Sequence, residues 1–281
     1  MNILVVGATG VLGRHVVPRL LENGYYVRAL IRRHDQAQFL ELIGVEPMVG
    51  DIFDFNSLDK ASYGCDAVLH LATAIPKSAE QDWSMNDRIR REGTRNLLDA
   101  ALKNSVRRYV QQSIALVYGD KGQDIVDETA SLQDSPISQS SIDMEEMVQA
   151  AKLEWSILRG GIFYGTGTGR EDGWRQHAKD GNLALPGDGS DLISLVHVVD
   201  YARAVVTAIE SAPSGSIYNI VDNEPVSYER LFTHITAQLR VDTPKPGGPK
   251  FLPSLGCSNN KARQELAWNP TYPSFLSGMA I

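Results

Sequence analysis

The most constraining feature of the chain is a glycine-rich segment directly after a short β-branched run. Residues 3–6 read Ile-Leu-Val-Val, and Gly7-Ala8-Thr9-Gly10-Val11-Leu12-Gly13 follows at once. Apolar residues then recur at helical spacing, so the segment lies between a predicted strand and a predicted helix, which separates it from a plain turn. The three glycines suit three requirements of such a loop, namely a tight turn, the close approach of a ligand to the backbone, and the packing of the helix on the strand. Free amides at the helix start favour a pyrophosphate. We therefore expect a dinucleotide to bind Gly7, Thr9, Gly10, Val11, Leu12 and Gly13.

Strand-like and helix-like segments alternate over the first 110 residues. β-Branched runs at residues 3–6, 26–31, 67–71 and 109–110 are apolar on both faces. This pattern is typical of parallel strands that helices cover on both sides. The predicted fold is an α/β, Rossmann-like doubly wound parallel sheet. Pro18 falls inside the first predicted helix and is expected to interrupt or kink it.

The predicted division of the chain is a larger Rossmann domain and a smaller C-terminal substrate lobe. The dinucleotide-binding Rossmann domain comprises residues 1–165, together with a returning strand and helix at 192–211. The smaller substrate-binding lobe comprises residues 166–191 and 212–281. Residues 242–249 are rich in proline and glycine and are expected to form an exposed loop.

Composition excludes several classes of protein. The 281 residues include 27 Lys plus Arg and 34 Asp plus Glu, a net charge of −7, so nucleic acid is not an expected partner. Apolar residues make up 43%, enough for a core, yet no apolar run reaches the ~18 residues of a membrane span. Cys65 and Cys257 match no zinc spacing, so no metal site is predicted and free buried thiols are expected. The N-terminus lacks a secretory signal, which favours the cytoplasm.

The spacing Gly-x-x-Gly-x-x-Gly resembles that of the short-chain dehydrogenase/reductase superfamily. Its place at the extreme N-terminus resembles the extended or atypical branches, which are similar to NAD(P)-dependent epimerases and dehydratases. Later segments agree with that pattern in order and spacing over essentially the whole chain: Glu92–Leu98, Val117–Gly119, Leu158–Arg159, Tyr164–Gly165, Pro186–Gly189, Val196–Asp200, Tyr218–Ile220 and Ala262–Pro270. The resemblance implies a nicotinamide cofactor rather than FAD, and a small-molecule substrate.

Two arginines after the second predicted strand bear on the choice of cofactor. Arg32 and Arg33 follow Ile31, where an NAD enzyme usually has an acid that binds the ribose 2′-hydroxyl. Arginine instead pairs with a 2′-phosphate through charge-assisted hydrogen bonds. The sequence therefore favours NADP(H), with Arg14 as a possible second cation. The alternative is a solvated basic pair.

The resemblance assigns two further segments to the cofactor. In similar proteins an acid and the next apolar residue, here Asp51 and Ile52, bracket the adenine. The alternative for Asp51 is a turn-capping role. Leu71, Ala72 and Thr73 end the fourth strand, where a small-residue turn lines the cofactor in the family.

The resemblance also implies a catalytic Tyr with a Lys four residues later, aided by Ser or Thr. No Tyr-x-x-x-Lys occurs between residues 119 and 155, so the chain resembles atypical members that lack this dyad. Ser113 and Tyr118 are the predicted catalytic substitutes, because they flank the end of the fifth strand beside the expected nicotinamide. Further possible donors are Asp143, Glu145, Tyr164 and His197.

Three functions follow from this pattern. The favoured one is an NADP-dependent oxidoreductase that acts on a small organic substrate. A sugar-nucleotide epimerase or dehydratase needs a base for its oxidation step, and the missing dyad counts against it. The third is a catalytically inert NADP-binding sensor or interaction protein. A monomer or homodimer is expected.

Overall fold

The computed structural model of the chain describes residues 1–76 and 82–279. Its strands are β1 (Asn2–Val6), β2 (Tyr26–Ile31), β3 (Glu46–Val49), β4 (Ala67–His70), β5 (Arg108–Ile114), β6 (Ile125–Val126), β7 (Glu154–Gly160), β8 (Ile162–Tyr164), β9 (Ala184–Pro186), β10 (Leu192–Ile193), β11 (Leu195–His197), β12 (Ser216–Ile220), β13 (Val226–Ser227), β14 (Lys245–Gly248) and β15 (Gly256–Cys257). Its α-helices are α1 (Gly13–Glu22), α2 (Ala37–Leu42), α3 (Phe55–Ser62), α4 (Ser84–Arg88), α5 (Thr94–Lys103), α6 (Gln139–Ala150), α7 (Arg170–Lys179), α8 (Val198–Ser211), α9 (Tyr228–Leu239), α10 (Asn260–Glu265) and α11 (Phe275–Gly278).

A seven-stranded sheet in the order β12-β7-β5-β4-β1-β2-β3 organises these elements. β1 pairs in parallel with both β2 and β4, and β4 pairs in parallel with β5. Val6 is opposite His70, and His70 is opposite Gln111, so the carboxyl ends of β1, β4 and β5 meet at one edge. The predicted Rossmann-like α/β fold is confirmed. Within residues 1–76 and 82–279, no helix is both long and apolar enough to cross a bilayer.

The chain divides into two compact units. Unit 1 comprises residues 1–113, 139–158 and 202–217, and unit 2 comprises residues 114–138, 159–201 and 218–281. These limits differ from the predicted boundary at residue 165. The chain enters unit 2 at the end of β5, where the 3-10 turn Ala115–Tyr118 follows the strand. The assignment of cofactor and substrate to separate lobes stays a prediction.

The core of unit 1 lies between the sheet and its helices. Leu4, Val68 and Ile157 are strand residues that pack with Leu97 of α5 in one apolar cluster. Parallel strands covered on both sides need such continuous apolar runs. α1 runs unbroken from Gly13 to Glu22, so the expected interruption at Pro18 does not occur. Cys65 and Cys257 are buried free thiols, as predicted.

Unit 2 departs from the prediction at residues 242–249. Instead of a loop throughout, β14 pairs in parallel with β9, although most of its residues are exposed. Glycine N–H groups make this pairing possible, because the neighbouring prolines have no N–H to donate. Gly247 N donates to Gly187 O at 2.6 Å, and Gly187 N donates to Gly248 O at 2.9 Å. The returning strand predicted to begin at residue 192 is divided at Ser194, whose carbonyl accepts from Ile162 N.

A buried acid in unit 2 helps to hold the segment before α11. The Tyr164 hydroxyl lies 3.0 Å from Asp222 Oδ2 and 3.2 Å from the Ser274 carbonyl, and Asp222 is 2% exposed. One phenol hydrogen cannot satisfy two acceptors fully. A proton on Asp222 lets Asp222 donate to Tyr164 and Tyr164 donate to Ser274. Burial, together with the charge of Asp200, raises the pKa of Asp222 to about 8.

We expect this acid to make folding stability depend on pH. The pKa is raised in the folded state, so the contribution of Asp222 is fully present below its unfolded pKa and is lost as pH rises toward 8. Asp222→Asn does not titrate at this position, so the stability of the variant minus that of wild type should rise by about 4 kcal/mol between pH 5 and pH 8, at ~1.4 kcal/mol per pH unit until the folded pKa is approached. Urea unfolding at several pH values measures the difference. Parallel pH profiles for the two proteins would contradict the assignment.

Candidate functional site

The glycine loop between β1 and α1 touches the end of β4. Gly7 has a φ of +100°, and a Cβ there would lie 2.6 Å from the Leu71 carbonyl carbon and 2.7 Å from Ala72 N. No other residue fits this position, because both the dihedral and the contact exclude a side chain. The loop is thus held against the Leu71–Thr73 turn, where the sequence predicts the cofactor.

The other two glycines of the loop differ in what surrounds them. A Cβ on Gly13 would lie 2.3 Å from Gly7 O and 2.4 Å from Ala8 O, so the close packing of α1 on the loop requires glycine. A Cβ on Gly10 meets only Gly7 O, at 3.2 Å. Gly10 therefore faces open space. Among the described residues, the amides of Val11 and Leu12 have no acceptor, which is the environment that a phosphate group fits.

This contrast predicts separate outcomes for two substitutions. Gly13→Ala should lower the free energy of unfolding by at least about 2 kcal/mol, because its methyl group meets backbone oxygens. Gly10→Val should leave folding within about 1 kcal/mol of wild type and abolish dinucleotide binding, because its side chain occupies the open face of the loop. Urea unfolding and calorimetric titration measure the two effects. An unchanged dinucleotide affinity in Gly10→Val would mean that the loop is structural only.

The two predicted cofactor arginines have different environments. Arg33 forms a two-point ion pair with Asp35, with Nε–Oδ1 at 3.0 Å and Nη2–Oδ2 at 2.7 Å. Arg32 is exposed, and within the described part of the chain it has no ion-pair partner. Arg14 donates from Nε to Thr9 O at 3.1 Å, which fixes it beside the glycine loop. Of the two arginines after β2, Arg32 is therefore the one without an ion-pair partner among the described residues.

The acid predicted near the adenine makes a turn. Asp51 Oδ1 accepts from Phe53 N at 2.9 Å, and Asp51 N donates to Ser57 Oγ at 3.1 Å. Ile52 is buried and packs against Gly93, where a Cβ would lie 2.8 Å from its Cδ1. The turn-capping interpretation accounts for these contacts. The adenine role of Asp51 and Ile52 stays a prediction.

Ser113, the first predicted catalytic residue, lies at the end of β5 in unit 1. Its hydroxyl donates to Glu145 Oε1 at 2.5 Å, and both side chains are buried. Glu145 is on α6, so this bond ties that helix to the sheet edge where β1, β4 and β5 end. Ligands of open α/β sheets bind at this edge.

Tyr118, the second predicted catalytic residue, is in unit 2 and is fully buried. Its hydroxyl donates to Asn219 Oδ1 at 2.8 Å and accepts from Arg159 Nη1 at 2.9 Å. Burial raises its pKa. These contacts give Tyr118 a structural role, and its catalytic role stays a prediction.

The sequence did not single out a group of buried polar side chains on α4, α6 and a π-helical turn at Ile89–Gly93. Arg90 is 5% exposed, whereas Asn86 and Ser141 are fully buried and each has a polar atom without a partner among the described residues. The run Ile89-Arg90-Arg91-Glu92 carries no sign of which arginine is buried. Only the wider turn of the π helix decides that.

Two histidines that the sequence does not assign to the cofactor are held by local hydrogen bonds. Burial lowers the pKa of His70 to about 4, so its ring is neutral and its Nδ1 lies 2.9 Å from Gln111 Oε1. The Nδ1 of His197 accepts from Val199 N at the start of α8. Across residues 1–76 and 82–279, no three His, Cys, Asp or Glu side chains gather as metal ligands.

A glycine loop between the first strand and first helix of a doubly wound parallel sheet is the architecture of Rossmann-like proteins. Residues 3–221 match the NAD dependent epimerase/dehydratase family. The match covers most of the chain, and the protein belongs to that family.

Individual relatives extend the comparison. The chain is 31% identical to the 3-diazoavenalumate denitrifying reductase of a Streptomyces species, over 99% of each chain. It also shares its fold with the dTDP-glucose 4,6-dehydratase of Streptomyces venezuelae, solved with NAD, at a TM-score of 0.87 and 24% identity over 100% of this chain and 95% of that one. The UDP-glucose 4-epimerase of Thermotoga maritima has a TM-score of 0.81 and 23% identity, over 99% of this chain and 96% of that one.

Proposed function

We propose that the protein is an NADP(H)-dependent oxidoreductase that reduces a small organic substrate. The observation that carries the proposal is Arg32, directly after β2, which has no ion-pair partner in the part of the chain that the structure describes and lies in the same unit as the open glycine loop. When bound, NADPH supplies the hydride for the reduction. Gly7, Thr9, Gly10, Val11, Leu12 and Gly13 would hold its pyrophosphate, Arg32 its 2′-phosphate, and the turn at Leu71, Ala72 and Thr73 its nicotinamide end.

Arg32 and Arg33 provide a matched test of cofactor choice. Arg32→Ala should lower the ratio of NADPH affinity to NADH affinity about tenfold or more, because it removes one charge-assisted hydrogen-bond contact to the 2′-phosphate. Arg33→Ala should change it less, because Asp35 already engages that guanidinium. Calorimetric titration of both variants with both cofactors measures the effect. If Arg33→Ala has the larger effect, Arg32 is not the phosphate ligand.

The absence of Tyr and Lys from α6 favours an atypical member and bears on the substrate. Reduction of a carbonyl needs a proton on the oxygen, whereas hydride transfer to an aryl diazonium group gives the arene and N₂ without one. In that transfer the hydride electron pair ends in the new C–H bond and the C–N bond electrons leave with N₂. The full-length similarity to a reductase named for a diazo substrate supports this substrate class. The name of that substrate, 3-diazoavenalumate, is the name of a carboxylate, which suggests that the substrate of this chain also carries a carboxylate.

A comparison of substrates tests the proposal. NADPH oxidation should be supported by an aryl diazonium carboxylate more strongly than by an aromatic aldehyde of the same size, with one N₂ released per NADPH. Heat-inactivated protein and the Gly10→Val variant are the controls for spontaneous reaction. Tight NADPH binding with no turnover of either class would instead favour a cofactor-binding sensor.

Ser113 and Tyr118 remain the proposed proton donors for any carbonyl substrate. Ser113→Ala combined with Tyr118→Phe should lower carbonyl turnover at least ~100-fold and leave NADPH affinity nearly unchanged. Each substitution also leaves a buried partner short of a hydrogen bond, at a cost of about 1–3 kcal/mol, so rates are compared where both proteins are folded. Carbonyl turnover at the wild-type rate in the double variant would contradict the assignment of Ser113 and Tyr118 as proton donors.

A further inference from the structure

Arg90 is a buried cation whose charge is partly balanced by the carboxylate of Asp87, which acts from beyond ion-pair distance. Its Nη1 donates to Ser140 Oγ at 3.1 Å, and Ser140 Oγ in turn donates to Asp87 Oδ1 at 2.6 Å. In the described part of the chain, no carboxylate lies within ion-pair distance of its guanidinium. Arginine has five N–H donors, and this network uses one. A buried charge of this kind is costly unless a partner completes it.

Two neighbouring side chains present unused polar atoms. Asn86 is four residues before Arg90, which places the two on one side of the helix, and its Nδ2 is buried without a partner in the described chain. Ser141 follows Ser140 in the first turn of α6, and its Oγ is likewise buried and unsatisfied. All three side chains can donate hydrogen bonds. The start of α6 adds the positive end of a helix dipole.

This group lies beside the turn predicted to line the nicotinamide. Asn86 Oδ1 accepts from Ala74 N at 3.0 Å, and Ala74 directly follows Thr73. The π-helical turn at Ile89–Gly93 brings Arg90 toward α6, and such turns often occur at functional sites. By contrast Arg91, the next residue, is half-exposed and pairs with Asp143 at 2.6 Å.

We propose that Arg90, Asn86 and Ser141 form a binding site for a carboxylate group of the substrate. The inference rests on the proposed function, since it places substrate next to the nicotinamide end of the cofactor. A carboxylate accepts several hydrogen bonds at once and matches the planar donors of arginine. The phosphates of the cofactor are assigned elsewhere, to the glycine loop and Arg32. The anion at Arg90 is therefore that of the substrate.

Titration with cinnamate and methyl cinnamate tests this site, because the two differ in charge and share the rest of their shape. Calorimetry uses the full chain saturated with NADPH. Wild type should bind cinnamate at least about tenfold more tightly than the ester, and Arg90→Gln should remove that preference. Arg90→Lys should restore part of it. Arg91→Gln is the matched control and should bind both compounds as wild type does.

Other outcomes overturn the proposal or locate its failure. Unchanged cinnamate affinity in Arg90→Gln, with a melting temperature near that of wild type, would contradict it. So would a loss of NADPH affinity in Arg90→Gln, since the anion would then belong to the cofactor. If Arg90→Gln fails to fold, the test uses Arg90→Lys and Ser141→Ala instead. If both of these variants prefer cinnamate over methyl cinnamate as strongly as wild type does, the proposed site is wrong. Selective cinnamate binding without any substrate turnover would keep the site and refute the reductase function.

Discussion

The contact between Gly7 and the end of β4 is the constraint on which the rest of unit 1 depends. A side chain at Gly7 would overlap the backbone of Leu71 and Ala72, so β1 and β4 can be neighbours only with glycine there. Gly13 extends the requirement by letting α1 pack on the same loop. Close packing of two backbone segments leaves the face at Gly10 open, next to the amides of Val11 and Leu12, which have no acceptor in the described part of the chain. Folding therefore requires glycine at Gly7 and Gly13, whereas phosphate binding is expected to require it at Gly10.

Charge in unit 1 is distributed so that only some cations are available to ligands. Arg33 and Arg91 each have a carboxylate partner, in Asp35 and Asp143. Among the described residues, their sequence neighbours Arg32 and Arg90 form no ion pair. Arg32 is in solvent, and Arg90 is buried and bonds to the neutral Ser140, with Asp87 beyond ion-pair distance. Exposed ion pairs contribute little to stability. Under the functions proposed above, these pairs leave Arg32 and Arg90 as the arginines that bind anions.

Sequence reasoning predicted the parts of the molecule that depend on local pattern. The parallel strands follow from apolar runs, and the loop from glycine spacing next to a strand. It did not predict that Pro18 leaves α1 unbroken or that residues 245–248 pair with β9, because packing and distant glycine amides decide these points. Nor could it predict the partners of Tyr118, since Asn219 is 101 residues away in sequence. The burial of Arg90 depends on a π-helical turn that leaves no signature in composition.

The most direct test of the central claim is a calorimetric comparison of NADPH and NADH binding to the wild-type protein at one salt concentration. The account predicts NADPH affinity at least about tenfold above that for NADH, because a 2′-phosphate can pair with Arg32, whereas the two residues directly after β2 are arginines and offer a 2′-hydroxyl no carboxylate. The preference should weaken as salt is raised, since the contact is exposed. Equal affinities for the two cofactors, or tighter binding of NADH, would contradict it.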